Sequence, residues 1–212
     1  DEAAPASSSA LQANGIVAIG ASPVMSRHSG EAEELAGAAS SLVINTGTPD
    51  KEGILAMERA LCAGSNIVFD PVGYGASSHR RAVIDGLLSM ASLAVIKGNY
   101  GEIGLLSGGE GTVRGVDSSV KTPPRTSLMK DLARRMGALI CATGEADIFC
   151  DGETALCISG GSQFMRRISG GGCLLGSLMG ALIPAGAPAG ATAASVILRL
   201  AGERADKKAS GP

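Results

Sequence analysis

The chain has 212 residues, 45% of them hydrophobic, with a mean hydropathy of +0.24, 2% aromatic residues and 31 glycines. A formal net charge of -2 gives no electrostatic reason to expect nucleic acid or an anionic membrane surface as a partner. No uninterrupted apolar run reaches the roughly 18 residues that a bilayer span needs, so the composition points to a compact α/β protein with many tight turns and some buried subunit surface.

Residues 1–10 are small, polar and aperiodic, and they are expected to be a disordered start. A short apolar helix is predicted from Leu11 to Gly20, then an extended segment Ala21-Ser22-Pro23-Val24-Met25 and a helix from Glu31 to Ser40 with its acidic residues in the first turns. Leu42-Val43-Ile44 is a continuous apolar run of the kind buried on both faces of a sheet. A helix over Pro49 to Ala63 carries proline in its tolerated first turn and stops at Gly64. The same alternation repeats: strand Ile67-Val68-Phe69, helix His79 to Met90, strand Leu93 to Ile96, and a short helix Tyr100 to Leu106.

Ser107 to Thr126, rich in Gly, Ser, Thr and Pro, is predicted as a surface loop. Beyond it come a helix over Leu128 to Met136, a strand over Ala138 to Ala142, and a hairpin turning at Asp151-Gly152. The chain closes with the loop Ser169-Gly170-Gly171-Gly172-Cys173, a helix from Cys173, a final helix over 188–204 and a polar tail from 206 to 212. Strands and helices alternating at this spacing build right-handed βαβ units, hence a mostly parallel sheet covered on both faces.

Ligands of such sheets bind beyond the carboxyl ends of the strands, where Asn45, Asp70, Lys97, Asn99 and Thr143 collect. Asp70 and Glu102 at neighbouring strand ends suit Mg²⁺, and Lys97 suits a transferring phosphoryl group. Each also has a purely structural reading: Asp70 as a turn cap, Glu102 as a solvated first-turn glutamate, Lys97 as a solvated strand-end lysine, Thr143 as an ordinary strand-end threonine. The glycine loop opening a helix reads as an anion cradle or as a tight turn before a packing helix. Cys173 at that helix start is expected to have a lowered thiol pKa. Only two histidines, His28 and His79, exist to activate it as a nucleophile, and neither sits in a supporting motif. The five cysteines lack zinc-site pairing, and their odd number suggests reduced thiols in the cytoplasm.

Seven motifs in order bear a specific likeness. They are Ala18-Ile19-Gly20-Ala21-Ser22-Pro23-Val24-Met25, Val43-Ile44-Asn45-Thr46-Gly47-Thr48, Asp70-Pro71-Val72-Gly73-Tyr74-Gly75, Ile96-Lys97-Gly98-Asn99 with Glu102-Ile103, Gly115-Val116-Asp117-Ser118, Thr143-Gly144-Glu145 and Gly170-Gly171-Gly172-Cys173. Over residues 11 to 200 the chain resembles the hydroxyethylthiazole kinases of the ribokinase-like superfamily.

The resemblance implies a three-layer αβα domain over 11–205 that phosphorylates the alcohol of 4-methyl-5-(2-hydroxyethyl)thiazole from ATP with Mg²⁺, as a homotrimer with active sites between subunits. It implies Met25 and Gly170 on the thiazole, Asp70 and Glu102 on the metal, and Lys97, Asn99 and Thr143 on ATP. Cys173 takes the place of the catalytic aspartate of ribokinase relatives. The loop departs from the family's Thr-Gly-Thr-Gly-Cys, losing a hydroxyl while keeping the backbone cradle, and the family's first strand, with its Asn-containing turn, has no counterpart in residues 1–10. A non-catalytic binding or oligomerisation module and a kinase of another small alcohol remain as alternatives.

Overall fold

A computed structural model describes residues 4–48, 50–109 and 122–209; the predicted Gly115 to Ser118 motif lies outside them. Six strands pair in chain order in one sheet: β1 (Leu42–Asn45), β2 (Ile67–Asp70), β3 (Val95–Asn99), β4 (Leu139–Thr143), β5 (Asp147–Cys150) and β6 (Ala155–Ile158). The first four are parallel, and β5 and β6 continue antiparallel through the hairpin at Asp151-Gly152. Asp151 Oδ1 accepts the amides of Glu153 and Thr154 there, and Gly152 takes a φ of +102°.

Right-handed crossovers between strands that never reverse order place every connecting helix on one face. That layer holds α2 (Ser29–Ala38), α3 (Lys51–Ala63), α4 (Ser78–Leu88), α5 (Tyr100–Leu106) and α6 (Thr126–Met136). The opposite face is covered by α1 (Ala4–Ala18), α7 (Gly171–Leu182) and α8 (Ala187–Asp206). Strand side chains alternate between the layers: Ile67, Phe69, Ile96 and Ile140 face α2 to α6, while Val68, Val95, Leu139 and Cys141 face α7 and α8. The result is the three-layer αβα architecture expected from the alternating pattern.

Most boundaries lie within two residues of expectation or shift for a local reason, and three show the cause plainly. The first helix begins at Ala4, within the stretch read as disordered, because an Ala- and Ser-rich run has little cost in a helix that docks on α7; Gln12 receives the Ser177 hydroxyl at 2.8 Å. Strand β3 starts two residues late and runs through Lys97 to Asn99, since pairing with β4 extends to the Asn99 and Thr143 level. Helix α2 starts at Ser29 because His28 Nδ1 accepts the Gly30 amide as its cap.

Helix α8 follows the 3-10 turn Ile183–Ala185 so closely that glycine is required at 190. A Cβ there would stand 2.4 Å from the Leu182 carbonyl oxygen and 2.5 Å from its carbon. Gly190→Ala is expected to destabilise the protein by about 2–3 kcal/mol, because backbone must move. Gly86→Ala, exposed in α4 with nothing within 4 Å, is expected to stabilise it by about 0.5–1 kcal/mol. Denaturant unfolding of the pair checks the contrast, and equal effects would refute it.

Candidate active site at the carboxyl edge of the sheet

The two-residue period that sends Val43, Val68, Val95 and Cys141 toward α7 and α8 also sends Asn45, Asp70, Lys97 and Thr143 to that face, at the carboxyl ends of four adjacent strands. Lys97 Nζ donates to Asp70 Oδ2 at 2.9 Å, and Asn45 Nδ2 donates to the same oxygen at 3.1 Å. The pair is enclosed, with the Lys97 and Asp70 side chains only 4% and 1% exposed. Asp70 Oδ1 is buried and accepts no hydrogen bond from the described residues. Asn45, noted in the sequence only as a polar strand end, is held in turn by the Gly47 amide at its Oδ1.

Helix α7 rests on this pair by its first turns. Gly170 leads into it with a φ of +82°, and no side chain caps the terminus. A Cβ at Gly172 would lie 3.5 Å from Lys97 Nζ, and one at Gly176 would lie 3.6 Å from Asp70 Oδ2. The first turns of α7 thus lie in contact range of the pair, and its N-terminus, a positive end that favours anions, stands beside a buried ammonium. Cys173 sits in this first turn, half-buried, with its thiol against Asn45.

Glu102 is buried as well, and each of its oxygens accepts one backbone amide. Oε1 accepts the Gly73 amide and Oε2 the Asn99 amide, each at 2.8 Å, while Asn99 Oδ1 accepts the Glu102 amide at 2.9 Å. This reciprocal cap fixes the start of α5 and ties it to the turn after Asp70. Asn99 is thus engaged as a helix cap, and Glu102 as a brace between two strand ends. Thr143 points its hydroxyl at the Gly98 carbonyl, 3.2 Å away.

Burial works against charge throughout the cluster. It opposes the Lys97 ammonium, but the carboxylates of Asp70 and Glu102 outweigh it and hold Lys97 above its ordinary value. Burial, with the Asp70 charge, raises Glu102. The same two causes raise the Cys173 thiol, which overturns the lowered value expected from its helix position: burial and the Asp70 charge outweigh Lys97 and the hydrogen bond of Asn45. Alkylation of Cys173 by iodoacetamide, followed by peptide mass spectrometry, is therefore expected to accelerate only above the ordinary thiol range. A half-maximal rate near pH 7 would disprove this.

Comparison with known proteins now bears on the cluster. The profile of the hydroxyethylthiazole kinase family matches residues 6–212. The chain belongs to that family. A protein of Shouchella clausii named hydroxyethylthiazole kinase is 39% identical over 168 residues, which is 77% of this chain and 64% of the relative. One of Archaeoglobus fulgidus with the same name is 39% identical over 207 residues, 94% of this chain and 75% of the relative. The chain thus spans less than two thirds of the S. clausii relative's length.

The solved hydroxyethylthiazole kinase protein of Pyrococcus horikoshii OT3 superposes with a TM-score of 0.78 at 33% identity, covering 95% of this chain and 77% of that one. An ADP complex of Bacillus subtilis pyridoxal kinase, 20% identical with a TM-score of 0.50 over 74% of this chain and 61% of its own, shares the ribokinase-like fold.

Set against the hydroxyethylthiazole kinase motifs, the structure unites Asp70, Lys97, Glu102 and Cys173, with Gly170 at the mouth of α7. Asn99 ends the strand that carries Lys97, and Thr143 ends the next strand, level with it across the β3–β4 pairing. Met25 is exposed on the segment between α1 and α2 and belongs to neither hydrophobic core of the described residues. Among the described residues no three His, Cys, Asp or Glu side chains gather as a metal cage. No helix of the described residues is long and apolar enough to cross a membrane.

Proposed function

We propose that the chain phosphorylates the primary alcohol of 4-methyl-5-(2-hydroxyethyl)thiazole at the expense of ATP, a step of thiamine salvage, in the cytoplasm. The observation that carries this reading is the buried Lys97–Asp70 pair directly beneath the uncapped first turn of α7. A phosphoryl group entering there meets amide dipoles and an ammonium that are already oriented, which is what stabilises the charge of a transferring phosphate. Thr143, at the end of β4, and Asn99, at the end of the Lys97 strand, mark the side from which the rest of the nucleotide would approach.

The alcohol is placed at Cys173 and Gly170. Burial and the Asp70 charge raise the thiol, which favours Cys173 as the group that orients the hydroxyl over one that removes its proton. A loose phosphoryl transfer needs no strong base before the new bond forms, so positioning is sufficient. Asn45 and Lys97 both hold Asp70 Oδ2, and the unpartnered Oδ1, with the Glu102 carboxylate behind it, is available to Mg²⁺ beside the substrate phosphates and water. When bound, Mg²⁺ supplies charge neutralisation of the phosphates. Glu102, with each oxygen on a backbone amide, supports that site from behind through its charge and through the Gly73 and Asn99 turns.

The homotrimer implied by the family is part of the same proposal. Val24 and Met25 are exposed at 72% and 46% and lie outside both cores, so they are free to be covered by a neighbouring copy and to complete its thiazole pocket. A coupled ADP-release assay with a panel of small alcohols tests the reading. The thiazole alcohol is expected to give Mg²⁺-dependent turnover. Transfer to another alcohol alone would make this a different small-alcohol kinase, and ATP binding without transfer would make it a binding module.

A further inference from the structure

Outside the cluster, the most extensively bonded side chain among the described residues is Arg199 of α8. All five of its N–H groups are used. Nε and Nη2 donate to the two oxygens of Asp147 at 3.0 and 2.7 Å, Nη2 also reaches the Gly144 carbonyl at 3.3 Å, and Nη1 donates to the carbonyls of Glu145 at 3.1 Å and Gly160 at 2.5 Å. Asp147 is buried and takes the Ser195 hydroxyl at 2.6 Å.

These acceptors belong to the two segments that flank the β5–β6 hairpin, both distant in the chain from Arg199. One is the exposed turn from Thr143 to Ala146 at the end of β4, braced on its other side by Tyr100, whose hydroxyl donates to the Ala146 carbonyl at 2.5 Å. The other is the Gly160-Gly161 segment, whose second amide is also held by Glu203 Oε1 at 2.8 Å. From there the 3-10 turn Gln163–Arg167 runs into the glycine loop that opens α7, and Met165 of that turn packs where Gly202 of α8 leaves room. The β5–β6 pairing brings the two segments side by side, and one planar guanidinium ties the turn that carries Thr143 to the segment that leads to Gly170.

We infer that Arg199, oriented by Asp147, is a positioning residue for the nucleotide phosphates. It touches no reacting atom; it fixes the two loops between which those phosphates would lie. The inference rests on the ATP-dependent reading above. A lysine cannot replace it, because a single ammonium has three donors and no fork to span both loops.

The test uses the full chain and three variants, Arg199→Lys, Arg199→Met and Arg199→Met with Asp147→Asn, read by equilibrium titration of ATP, by KM for each substrate and by thermal unfolding. Arg199→Met alone leaves the Asp147 charge buried and is expected to destabilise the protein; the double variant removes that charge and should recover most of the unfolding midpoint. ATP affinity should nonetheless stay weakened about tenfold in the double variant and in Arg199→Lys, with KM for the alcohol changing less than KM for ATP. Recovery of ATP affinity together with stability in the double variant, or parental affinity in Arg199→Lys, would overturn the inference and leave Arg199 a purely structural residue. A parent that binds ATP but transfers no phosphoryl group would overturn the kinase reading alone, and one that binds no ATP would overturn both.

Discussion

Lys97→Met is expected to cost about 3–5 kcal/mol of stability, the penalty for leaving a buried charge without its partner. Asp70 is enclosed, and its only other partner among the described hydrogen bonds to Oδ2 is the Asn45 amide. The double variant Lys97→Met with Asp70→Asn should recover more than half of the loss, since neither charge is then stranded. Urea unfolding of the two single variants and the double measures the coupling. If the losses simply add, the pair is not a unit. The pH dependence has a definite sign. Lys97 is held above its ordinary 10.5, so its contribution is complete below that value and is lost as pH climbs through the raised folded value. The alkaline decline of the parent should therefore be shallower in Lys97→Met.

Asp70→Asn is expected to lower phosphoryl transfer by about a hundred- to a thousandfold, the range for removing one preorganised charged group from such a site. Oδ2 of Asp70 organises Asn45 and Lys97, and Oδ1 is the free buried oxygen, so one substitution removes both the anchor and the available metal ligand. A second readout separates this from general damage. Because the Asp70 charge is, after burial, the largest cause of the raised Cys173 thiol, the variant should shift the alkylation profile of Cys173 toward lower pH. Turnover unchanged from the parent would remove Asp70 from the active site.

The alternation of apolar runs with helical stretches was enough to predict the αβα layering, because strand period and crossover handedness are local rules that leave little choice. The same rules brought Asn45, Asp70, Lys97 and Thr143 to one edge, and the motifs around them carried the family. Their partners were less accessible. Glu102 reads equally as a metal ligand or a first-turn residue, and only the structure gives its oxygens to the Gly73 and Asn99 amides. The helix start suggested a lowered Cys173 thiol, but the sign is decided by burial and by carboxylates brought from β2 and α5.

Arg199 is the plainest case. In the sequence it is one of several charged residues on a terminal helix; in the fold it closes on three carbonyls and a carboxylate between 39 and 55 residues away. By itself, then, the sequence determined which residues have the chemistry and at which edge of the sheet they emerge, since both follow from near-neighbour patterns. Protonation, pairing and the spacing of the phosphate-side loops were decided by tertiary structure, because they depend on burial and on contacts between segments that no local pattern relates.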